Sequence, residues 1–469
     1  MLSNLAMVRL VWLASFPWMS RNFGKTIGNF QDKAHSWQTL EHMWKQLATP
    51  EEQKFRDTLH SRKEASALAT LRTFQQTETQ AKRVTLYRDA AAWCPYCEKV
   101  WLFLEEKKIP YQVTKVNMNC YGDKPAWFWA MQPSGGIPVA KIDGRVVKES
   151  NDILMELERK FVDSRPMIPE GDDVSSLLQL ERQLLSCCFR WLTTSMSDGA
   201  QRYNFESLMS QVDAELAERG GPFFLGAETS IVDCMFAPFL ERMAASVPYY
   251  KGLIVRNNAE WPHVERWFDA MEQLDSFRHI RSDYYTHVND LPPQIGRCIS
   301  TAEAAPFAKE IDGDGEAWRL PLNPSGSVIE PITHLGQDEE AARREAAERI
   351  ISNRDAIVRF AARGAGKPGF PPVSAPLSDP NAAINDDVIP TVDAALRHAV
   401  GALLEGIEET NNTMSVGLDS RTVTICLGYL RDRISVPRDM GYPAARQCRA
   451  YLNWAIETVG SRKVDTINE

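Results

Sequence analysis

The chain has 469 residues, of which 44% are hydrophobic and 25% charged, and its formal net charge is −9. A chain of this length exceeds what one hydrophobic core organises, so we expect two or three domains. The negative charge argues against a nucleic-acid-binding protein, because phosphate backbones require a basic footprint. No apolar run is long enough to span a bilayer, so no transmembrane segment is predicted.

The nine cysteines are scattered and odd in number, which indicates a reducing compartment rather than a disulfide scaffold. Only Cys94 and Cys97 have the C-x-x-C spacing. A structural zinc site would need a second such pair or paired histidines nearby, and no histidine lies between Cys94 and Cys120. We therefore predict no metal site.

Residues 1–35 differ from the rest of the chain and form a possible targeting segment. Arg9, Arg21 and Lys25 precede the first acidic residue, Asp32, and much of the early sequence is apolar. This composition is typical of mitochondrial or plastid targeting segments. Ala14-Ser15-Phe16-Pro17 resembles the cleavage context of bipartite plastid signals, so we predict a plastid location, with the cytoplasm as the alternative. The other interpretation of the segment is a mobile or amphipathic N-terminal arm.

Residues 36–82 are predicted to be a helical lead-in, in which Thr49-Pro50-Glu51-Glu52 is a helix start. The pattern then changes, and residues 83–163 predict an α/β domain. The predicted elements are a strand over 84–87, a helix over 95–107, a strand over 111–116, a hairpin around Asp143-Gly144 and a helix from 150 to about 160. A β-α-β unit followed by β-β-α is the order of a thioredoxin-like fold.

The rest of the chain is predicted to be mostly helical. Residues 170–290 have a helical pattern throughout and form an all-α domain. Residues 301–337 are rich in Gly and Pro and are predicted to be a linker. Residues 338–469 form an extra, mostly α-helical C-terminal extension.

The string Trp93-Cys94-Pro95-Tyr96-Cys97 carries the predicted chemistry. It follows a strand and opens a helix, so Cys94 faces the unsatisfied N–H groups and the positive end of the helix dipole. Those groups favour a thiolate, which is the nucleophile in thiol–disulfide exchange. Cys97 lies one turn inside the helix, where it could resolve a mixed disulfide.

Two further segments complete a predicted peptide-thiol site. Gly136-Ile137-Pro138-Val139 precedes the third strand, where a cis-proline of a thioredoxin-like fold faces the active-site cysteine. The backbone of Ile137 could then pair with an extended thiol peptide. Glu149 could bind the ammonium of a γ-glutamyl group, and Ser150 could cap the following helix and receive a carboxylate through its N–H.

Residues 84–160 resemble the N-terminal domain of cysteine-type glutathione transferases, such as the omega and lambda classes. Lys124-Pro125-Ala126-Trp127-Phe128 resembles the K-P-x-W-F segment of the omega class, and this resemblance makes Lys124 a glutathione ligand together with Ile137, Pro138, Glu149 and Ser150. Thr229-Ser230-Ile231-Val232-Asp233 resembles the N-capping box of the family's helical domain.

The string A-W-C-P-Y-C-E-K-V-W-L-F-L-E-E-K-K-I-P-Y, at residues 92–111, is most similar to the iota class. That class occurs in photosynthetic organisms and has an additional C-terminal domain. This chain has such an extension, although Tyr96 stands where the iota motif usually has Trp. The resemblance implies a transferase fold: a thioredoxin-like domain, an all-α domain and the extension.

The resemblance implies an enzyme with glutathione as co-substrate and Cys94 as catalytic residue, aided by Cys97. A cysteine forms a mixed disulfide with glutathione, so we expect reduction: deglutathionylation of small molecules or proteins, or reduction of glutathionyl-quinones or dehydroascorbate. Hydrophobic electrophilic small molecules are the other expected substrates. The alternatives are a non-enzymatic scaffold that docks a larger complex through its extension, and a carrier of a hydrophobic ligand. A monomer and a homodimer are both compatible with the sequence.

Overall fold

The structure is a computed structural model that describes residues 30–61, 83–171, 174–332 and 338–465. Parts of the predicted targeting segment (1–35), lead-in (36–82) and linker (301–337) therefore lie outside the described residues, as does the end of the predicted extension. Within the described ranges, the search for a helix with the length and apolar character of a membrane span finds none.

The described chain begins with two helices, α1 (Trp37–Leu47) and α2 (Pro50–Ser61). The Ser36 side chain accepts a hydrogen bond from the N–H of Thr39 and caps α1. The second helix begins at Pro50, where a missing N–H costs nothing, and it has acidic residues in its first turn. The predicted helix start at this position is confirmed.

A four-stranded mixed sheet follows, with the strand order β2-β1-β3-β4. Its strands are β1 (Val84–Asp89), β2 (Tyr111–Val116), β3 (Val139–Ile142) and β4 (Arg145–Lys148). The first strand pairs parallel with β2 and antiparallel with β3. The predicted hairpin joins β3 to β4 through Asp143 and Gly144, whose φ values of 49° and 85° are those that an Asp-Gly turn favours.

Helices cover the sheet and join its strands: α3 (Pro95–Glu106), α4 (Ala126–Met131) and α5 (Ser150–Lys160). The first of these is the crossover that a parallel β1–β2 pair requires. Nine of its residues, from Cys97 to Glu105, are buried, because the sheet packs on one side and the following domain on the other. The thioredoxin-like α/β domain predicted from the sequence is confirmed.

The second domain is all-helical, as predicted, and α8 forms its centre. Its helices are α6 (Ser175–Thr193), α7 (Asp198–Glu218), α8 (Ile231–Lys251), α9 (Pro262–Met271), α10 (Asp275–Ile280), α11 (Tyr284–Asp290) and α12 (Pro292–Ile295). All 21 residues of α8 are buried. The predicted capping box is present at its start, where Ser230 and Asp233 exchange hydrogen bonds with each other's backbone.

The segment after α12 contains more structure than its composition predicted. A 3₁₀ turn (Ala302–Ala304) leads into α13 (Ala305–Ile311), and both pack against α8. Ala304 and Ile311 are buried. Phe307 and Ala308 pack against the same core, so the apolar residues follow the helical spacing i, i+3, i+4, i+7. The Gly- and Pro-rich composition of the segment masked this short pattern.

The extension forms its own hydrophobic core, which includes α1. Its helices are α14 (Glu339–Ser352), α15 (Arg354–Ala361), α16 (Ile389–Glu405), α17 (Ile407–Thr413), α18 (Ser420–Arg431) and α19 (Tyr442–Asp465). Leu40 and Trp44 of α1 are buried in this core, and the indole Nε1 of Trp44 donates to the carbonyl of Arg344 at 2.9 Å. The helical lead-in thus packs on the extension rather than on the sheet that follows it.

Candidate active site

Cys94 occupies the residue position immediately before α3. Its carbonyl accepts the first helical hydrogen bonds, from the N–H groups of Cys97 at 3.1 Å and Glu98 at 3.0 Å. No side chain caps this end of the helix. Cys94 is thus the residue at the end of α3 where first-turn N–H groups have no intrahelical partner, and its Sγ accepts no capping hydrogen bond from them. Such a helix end stabilises an anion.

Cys97 lies one turn further along α3 and is only 1% exposed. Its pKa is raised well above the ordinary value, first because burial disfavours the charged thiolate, and then because Cys94 and Asp89 are adjacent. Both cysteines of the motif are thus buried, but Cys94 lies at the end of the helix and Cys97 lies one turn inside it.

The segment before β3 brings its backbone to Cys94. The Ile137–Pro138 peptide bond is cis, as predicted. The Cys94 Sγ lies 4.0 Å from the carbonyl oxygen of Ile137. Val139 of β3 lies opposite Lys148 of β4 at the end of this strand pair. The next two residues beyond the pair, Pro138 and Glu149, therefore face each other. The sheet register thereby brings three of the predicted site segments together.

Glu149 and Ser150 lie at the start of α5, but their roles differ from the prediction in one respect. We predicted that Ser150 caps the helix; in the structure Glu149 is the N-cap, and Ser150 is the first helical residue. The chain leaves β4 with Glu149 at φ 61°, an unusual conformation for a residue other than glycine, so helical geometry begins at Ser150. Glu149 is exposed and Ser150 is buried.

Lys124 lies on the same side of the fold, just before α4. Its ammonium donates a hydrogen bond to the side-chain oxygen of Asn119. Burial lowers the pKa of Lys124, and the nearby Cys120, Cys94 and Cys97 act in the opposite direction. The structure therefore places Lys124 and the backbone of Ile137 near the two cysteines. Glu149 and Ser150 lie at the start of α5, next to the strand end that follows Pro138.

The sequence analysis missed three buried residues that hold the Trp93–Cys94 turn. Asp89 accepts a hydrogen bond from the N–H of Trp93 at 2.6 Å through Oδ2. Arg242 of α8 donates to the carbonyl of Trp93, and His287 of α11 accepts from its indole Nε1 at 3.1 Å. The sequence could have indicated Asp89, because it is a charged residue at the end of a buried strand. Arg242 and His287 lie on helices far away in the sequence, and no local pattern indicates them.

His287 is suited to its role because it stays neutral. Burial, together with the charges of Arg242 and Arg281, holds its pKa well below the ordinary value. A neutral imidazole keeps an acceptor nitrogen for the Trp93 indole. The turn that carries Cys94 is thus anchored to the helical domain from two sides.

The C-terminal extension also reaches the site. The N–H of Ala375 donates to the carbonyl of Cys120 at 3.2 Å, in the loop that leads to Lys124. Ala375 is 2% exposed and belongs to the core of the transferase-type domains rather than to that of the extension. Of the three tryptophans that flank the motif in sequence, Trp93 is buried, whereas Trp127 and Trp129 are exposed beside the loop.

Among the described residues, Asp89, Cys94 and Cys97 are the one group that could hold a metal ion. A carboxylate oxygen and the two sulfur atoms lie within 4.8 Å of one another. Asp89 Oδ1 is buried and has no hydrogen-bond partner in the described part of the chain. The sequence prediction of no metal site is not tested by this geometry.

Comparison with known proteins identifies both domains. The family model described as glutathione S-transferase, N-terminal domain, matches residues 93–160, and the C-terminal domain model matches residues 179–270. Glutathione S-transferase DHAR3, chloroplastic, from Arabidopsis thaliana is 30% identical over 193 residues, which are 40% of this chain and 69% of that protein. Glutathione S-transferase DHAR2 from the same plant is 29% identical over 196 residues, 41% of this chain and 86% of that protein.

Among solved structures, glutathione transferase Omega 3C from Trametes versicolor is 25% identical and covers 44% of this chain and 91% of its own, with a TM-score of 0.38. The family-model match over residues 93–160 contains the Cys94 motif, the cis-proline segment and the start of α5. The extension lies outside the two family-model matches. Because DHAR3 is 30% identical and is covered over 69% of its length, the chain belongs to the glutathione S-transferase family, whose enzymes use glutathione as co-substrate.

Proposed function

We propose that this protein is a glutathione-dependent thiol transferase and reductase in which Cys94 forms a mixed disulfide with glutathione. The observation that carries the proposal is the placement of Cys94 at the uncapped end of α3, with its Sγ 4.0 Å from the Ile137 carbonyl. A thiolate at that position can attack a disulfide sulfur, and the backbone beside it can hold a peptide.

The first step transfers glutathione to the enzyme. The Cys94 thiolate attacks the glutathione sulfur of a glutathionylated thiol, the disulfide bond between the glutathione sulfur and the substrate sulfur breaks, and the substrate leaves as a thiolate. In our proposal the Ile137 backbone pairs with the glutathione peptide, and cis-Pro138 shapes this contact. Lys124, Glu149 and the N–H of Ser150 bind its charged ends, because an ammonium prefers a carboxylate and a carboxylate prefers a helix N-terminus.

The second step regenerates the enzyme, and we propose that a second glutathione performs it. That thiolate attacks the glutathione sulfur of the Cys94 disulfide, which yields oxidised glutathione and the free Cys94 thiolate. Cys97 is a poor competitor because burial raises its pKa and keeps it a thiol. The enzyme therefore turns over through one cysteine.

Dehydroascorbate is the small substrate that the relatives favour, since several of them are dehydroascorbate reductases. Two glutathione molecules would be oxidised to one disulfide, and dehydroascorbate would gain two electrons and two protons. Tyr96 is 42% exposed beside Phe239, with ring centroids 5.7 Å apart, and offers an aromatic surface for such a substrate or for a quinone.

The test measures glutathione-dependent reduction of the glutathionyl-mercaptoethanol disulfide and of dehydroascorbate. Cys94→Ser should reduce both rates to the uncatalysed level, because serine is a poor nucleophile towards sulfur. Cys97→Ser should keep both rates within a few-fold of the wild type. Cys187→Ser, a half-buried cysteine on α6, is the matched control and should behave as the wild type.

Equal loss in Cys94→Ser and Cys97→Ser would show that the second cysteine resolves the disulfide. A wild type that neither turns over nor binds glutathione would contradict the proposal and favour a scaffold or carrier.

The location and assembly of the protein also remain proposals. Relatives include chloroplastic and cytosolic proteins, which is compatible with either a plastid or a cytoplasmic location. We propose the plastid, from the composition of residues 1–35, and imaging of the full chain fused to a fluorescent protein tests it. Size-exclusion chromatography with light scattering decides between a monomer and a homodimer.

A further inference from the structure

A cavity of about 590 Å³ lies between the C-terminal extension and the thioredoxin-like domain. Helices α14, α15, α18 and α19 contribute to its wall, together with the loop that contains Leu377 and Asp379. Ala90, which follows β1, and Lys115, near the end of β2, close it on the other side. Cavities of this volume hold small organic ligands in many proteins.

Two arginines give this cavity a cationic character. Arg363 donates through Nη1 to the backbone carbonyl of Asp379 at 2.9 Å, and Arg433 donates to the backbone carbonyl of Tyr429 at 3.3 Å. In both, Nε is buried and has no hydrogen-bond partner among the described residues. Their partners are neutral carbonyl groups, so their charge is not neutralised by these contacts.

The carboxylates in the cavity wall are engaged elsewhere. Asp439 pairs with Arg438 at 2.8 Å, and Glu348 lies 3.4 Å from Arg349. Asp379 accepts a hydrogen bond from the Tyr429 hydroxyl at 3.3 Å through Oδ2. Of these carboxylates, Asp379 is the one that lies beside Arg363 and Arg433, so the two arginines keep a net positive charge that an added anion can neutralise.

Aromatic rings hold the two guanidinium groups in place. Arg433 lies over the Tyr429 ring at 3.7 Å from its centroid, and Arg363 lies over Phe360 at 5.1 Å. The two rings are themselves in contact, with centroids 5.4 Å apart. This stacking fixes the donors before a ligand arrives, which lowers the entropy cost of binding.

The wall also has an aliphatic part beside its polar residues. Its larger aliphatic side chains are Ile350, Ile357, Leu377, Leu430, Ile434 and Met440. A ligand that fills the cavity would therefore contact a charged end and an apolar end.

We propose that this cavity binds an amphipathic organic anion, with its carboxylate-type head on Arg363 and Arg433 and its apolar body against the aliphatic wall. The two arginines supply charge-assisted hydrogen bonds, and the aliphatic side chains select against a bare inorganic anion. The proposal does not rest on the proposed reduction, because the cavity wall contains neither Cys94 nor a predicted glutathione ligand.

The test uses the full-length protein and three probes in isothermal titration calorimetry. The probes are 1-naphthoate, its neutral counterpart 1-naphthamide, and inorganic phosphate. Naphthoate should bind at least about tenfold more tightly than either of the others, since only it has both the charge and the apolar body. Naphthoate binding that is no tighter than naphthamide or phosphate binding would overturn the proposal, as would no binding below about 1 mM.

Variants locate the site. Arg363→Gln and Arg433→Gln should each weaken naphthoate binding about tenfold and leave naphthamide binding unchanged. Arg359→Gln is the matched control, because Arg359 is exposed near the end of α15, four residues before Arg363, and pairs with Asp386 outside the cavity. A circular dichroism spectrum equal to that of the wild type shows that each variant is folded. If a variant does not fold, the affinities of the three probes for the wild type still test the proposal.

Competition separates this site from the glutathione site. Saturating S-hexylglutathione should leave naphthoate binding unchanged, and so should Cys94→Ser. Displacement of naphthoate by S-hexylglutathione, or unchanged affinity in the Arg363→Gln/Arg433→Gln double variant, would place the ligand elsewhere and overturn the proposal.

Discussion

Cys94 and Cys97 differ in chemistry although they are three residues apart. The first lies at the end of α3 next to unpaired N–H groups, and the second is enclosed, with a pKa that burial raises. The cost of a charge away from water thus explains why Cys97 takes no part in the attack in the mechanism that we propose. The C-x-x-C spacing predicted that Cys94 lies at the helix end and Cys97 one turn inside. The burial of each side chain depends on the fold.

Asp290, at the end of α11, is a second residue whose environment changes its titration. Burial raises its pKa to about 7, and the hydrogen bond from the Tyr121 hydroxyl only partly opposes this. In the unfolded chain an aspartate titrates near 4, so the folded state binds more protons between these two values. The stability that Asp290 contributes is therefore present at acid pH and is lost as the pH rises through about 7.

Asp290→Asn should flatten this pH dependence. Between pH 5 and 8, the free energy of unfolding should fall by about 2 to 3 kcal/mol less in the variant than in the wild type. Urea denaturation at several pH values measures it, and Asp123→Asn, an exposed aspartate, is the control. Parallel stability profiles for Asp290→Asn and the wild type would contradict the assignment.

At the scale of elements, α8 is a helix that propensity alone does not explain. It contains Pro238 and Pro248, yet it is buried along its whole length. Its start is fixed by Asp233, which accepts hydrogen bonds from the N–H of Ser230 at 2.8 Å and from the indole of Trp267 at 2.8 Å. The local capping box and the tertiary contacts therefore converge on one carboxylate.

Asp233→Ala should destabilise the protein by about 3 kcal/mol, because it removes the cap and leaves buried donors unpaired. Asp338→Ala is the matched comparison: this exposed cap of α14 receives one hydrogen bond, from the N–H of Ala341 at 2.6 Å, and its loss should cost about 1 kcal/mol. Chemical denaturation followed by circular dichroism measures both. Equal costs for the two caps would show that burial adds nothing to the first.

At the scale of the whole molecule, the extension docks on the helical domain through a buried ion pair. Arg449 of α19 and Asp283 at the start of α11 are each 1% exposed, with 2.5 Å between nitrogen and oxygen. The N–H of Val436 adds a hydrogen bond to the Thr286 hydroxyl at 3.1 Å. Such contacts make the extension part of the folded unit rather than an appendage.

Arg449→Met should destabilise the protein by about 3 to 5 kcal/mol, since it leaves the Asp283 charge buried without its partner. The Asp283→Asn/Arg449→Met double variant should recover much of this loss. Thermal unfolding provides the measurement, and Arg446→Met, on the more exposed face of the same helix, is the control. A double variant less stable than Arg449→Met alone would contradict the buried-pair explanation.

Local sequence signals predicted the parts of the site that depend on neighbouring residues. The C-P-Y-C motif, the Ile137–Pro138 bond, the Asp143-Gly144 turn and the Ser230 capping box each lie within a few residues and were recognised, as were the two transferase domains. The iota class stays a prediction, because the family matches do not distinguish it. The expected cap at Ser150 was wrong by one residue, since the backbone conformation of Glu149 decides where the helix begins.

The sequence by itself determined the fold class and the order of the two transferase domains, and it predicted Cys94 as the reactive cysteine, because these follow from short-range patterns. Only the tertiary structure decided that α1 joins the core of the extension, that Arg242 holds the Trp93 turn, and that Arg363 and Arg433 share a cavity. Such contacts join residues that are tens to hundreds of positions apart in the sequence. Contacts over that separation produce no local pattern of apolar or charged residues from which they could be predicted.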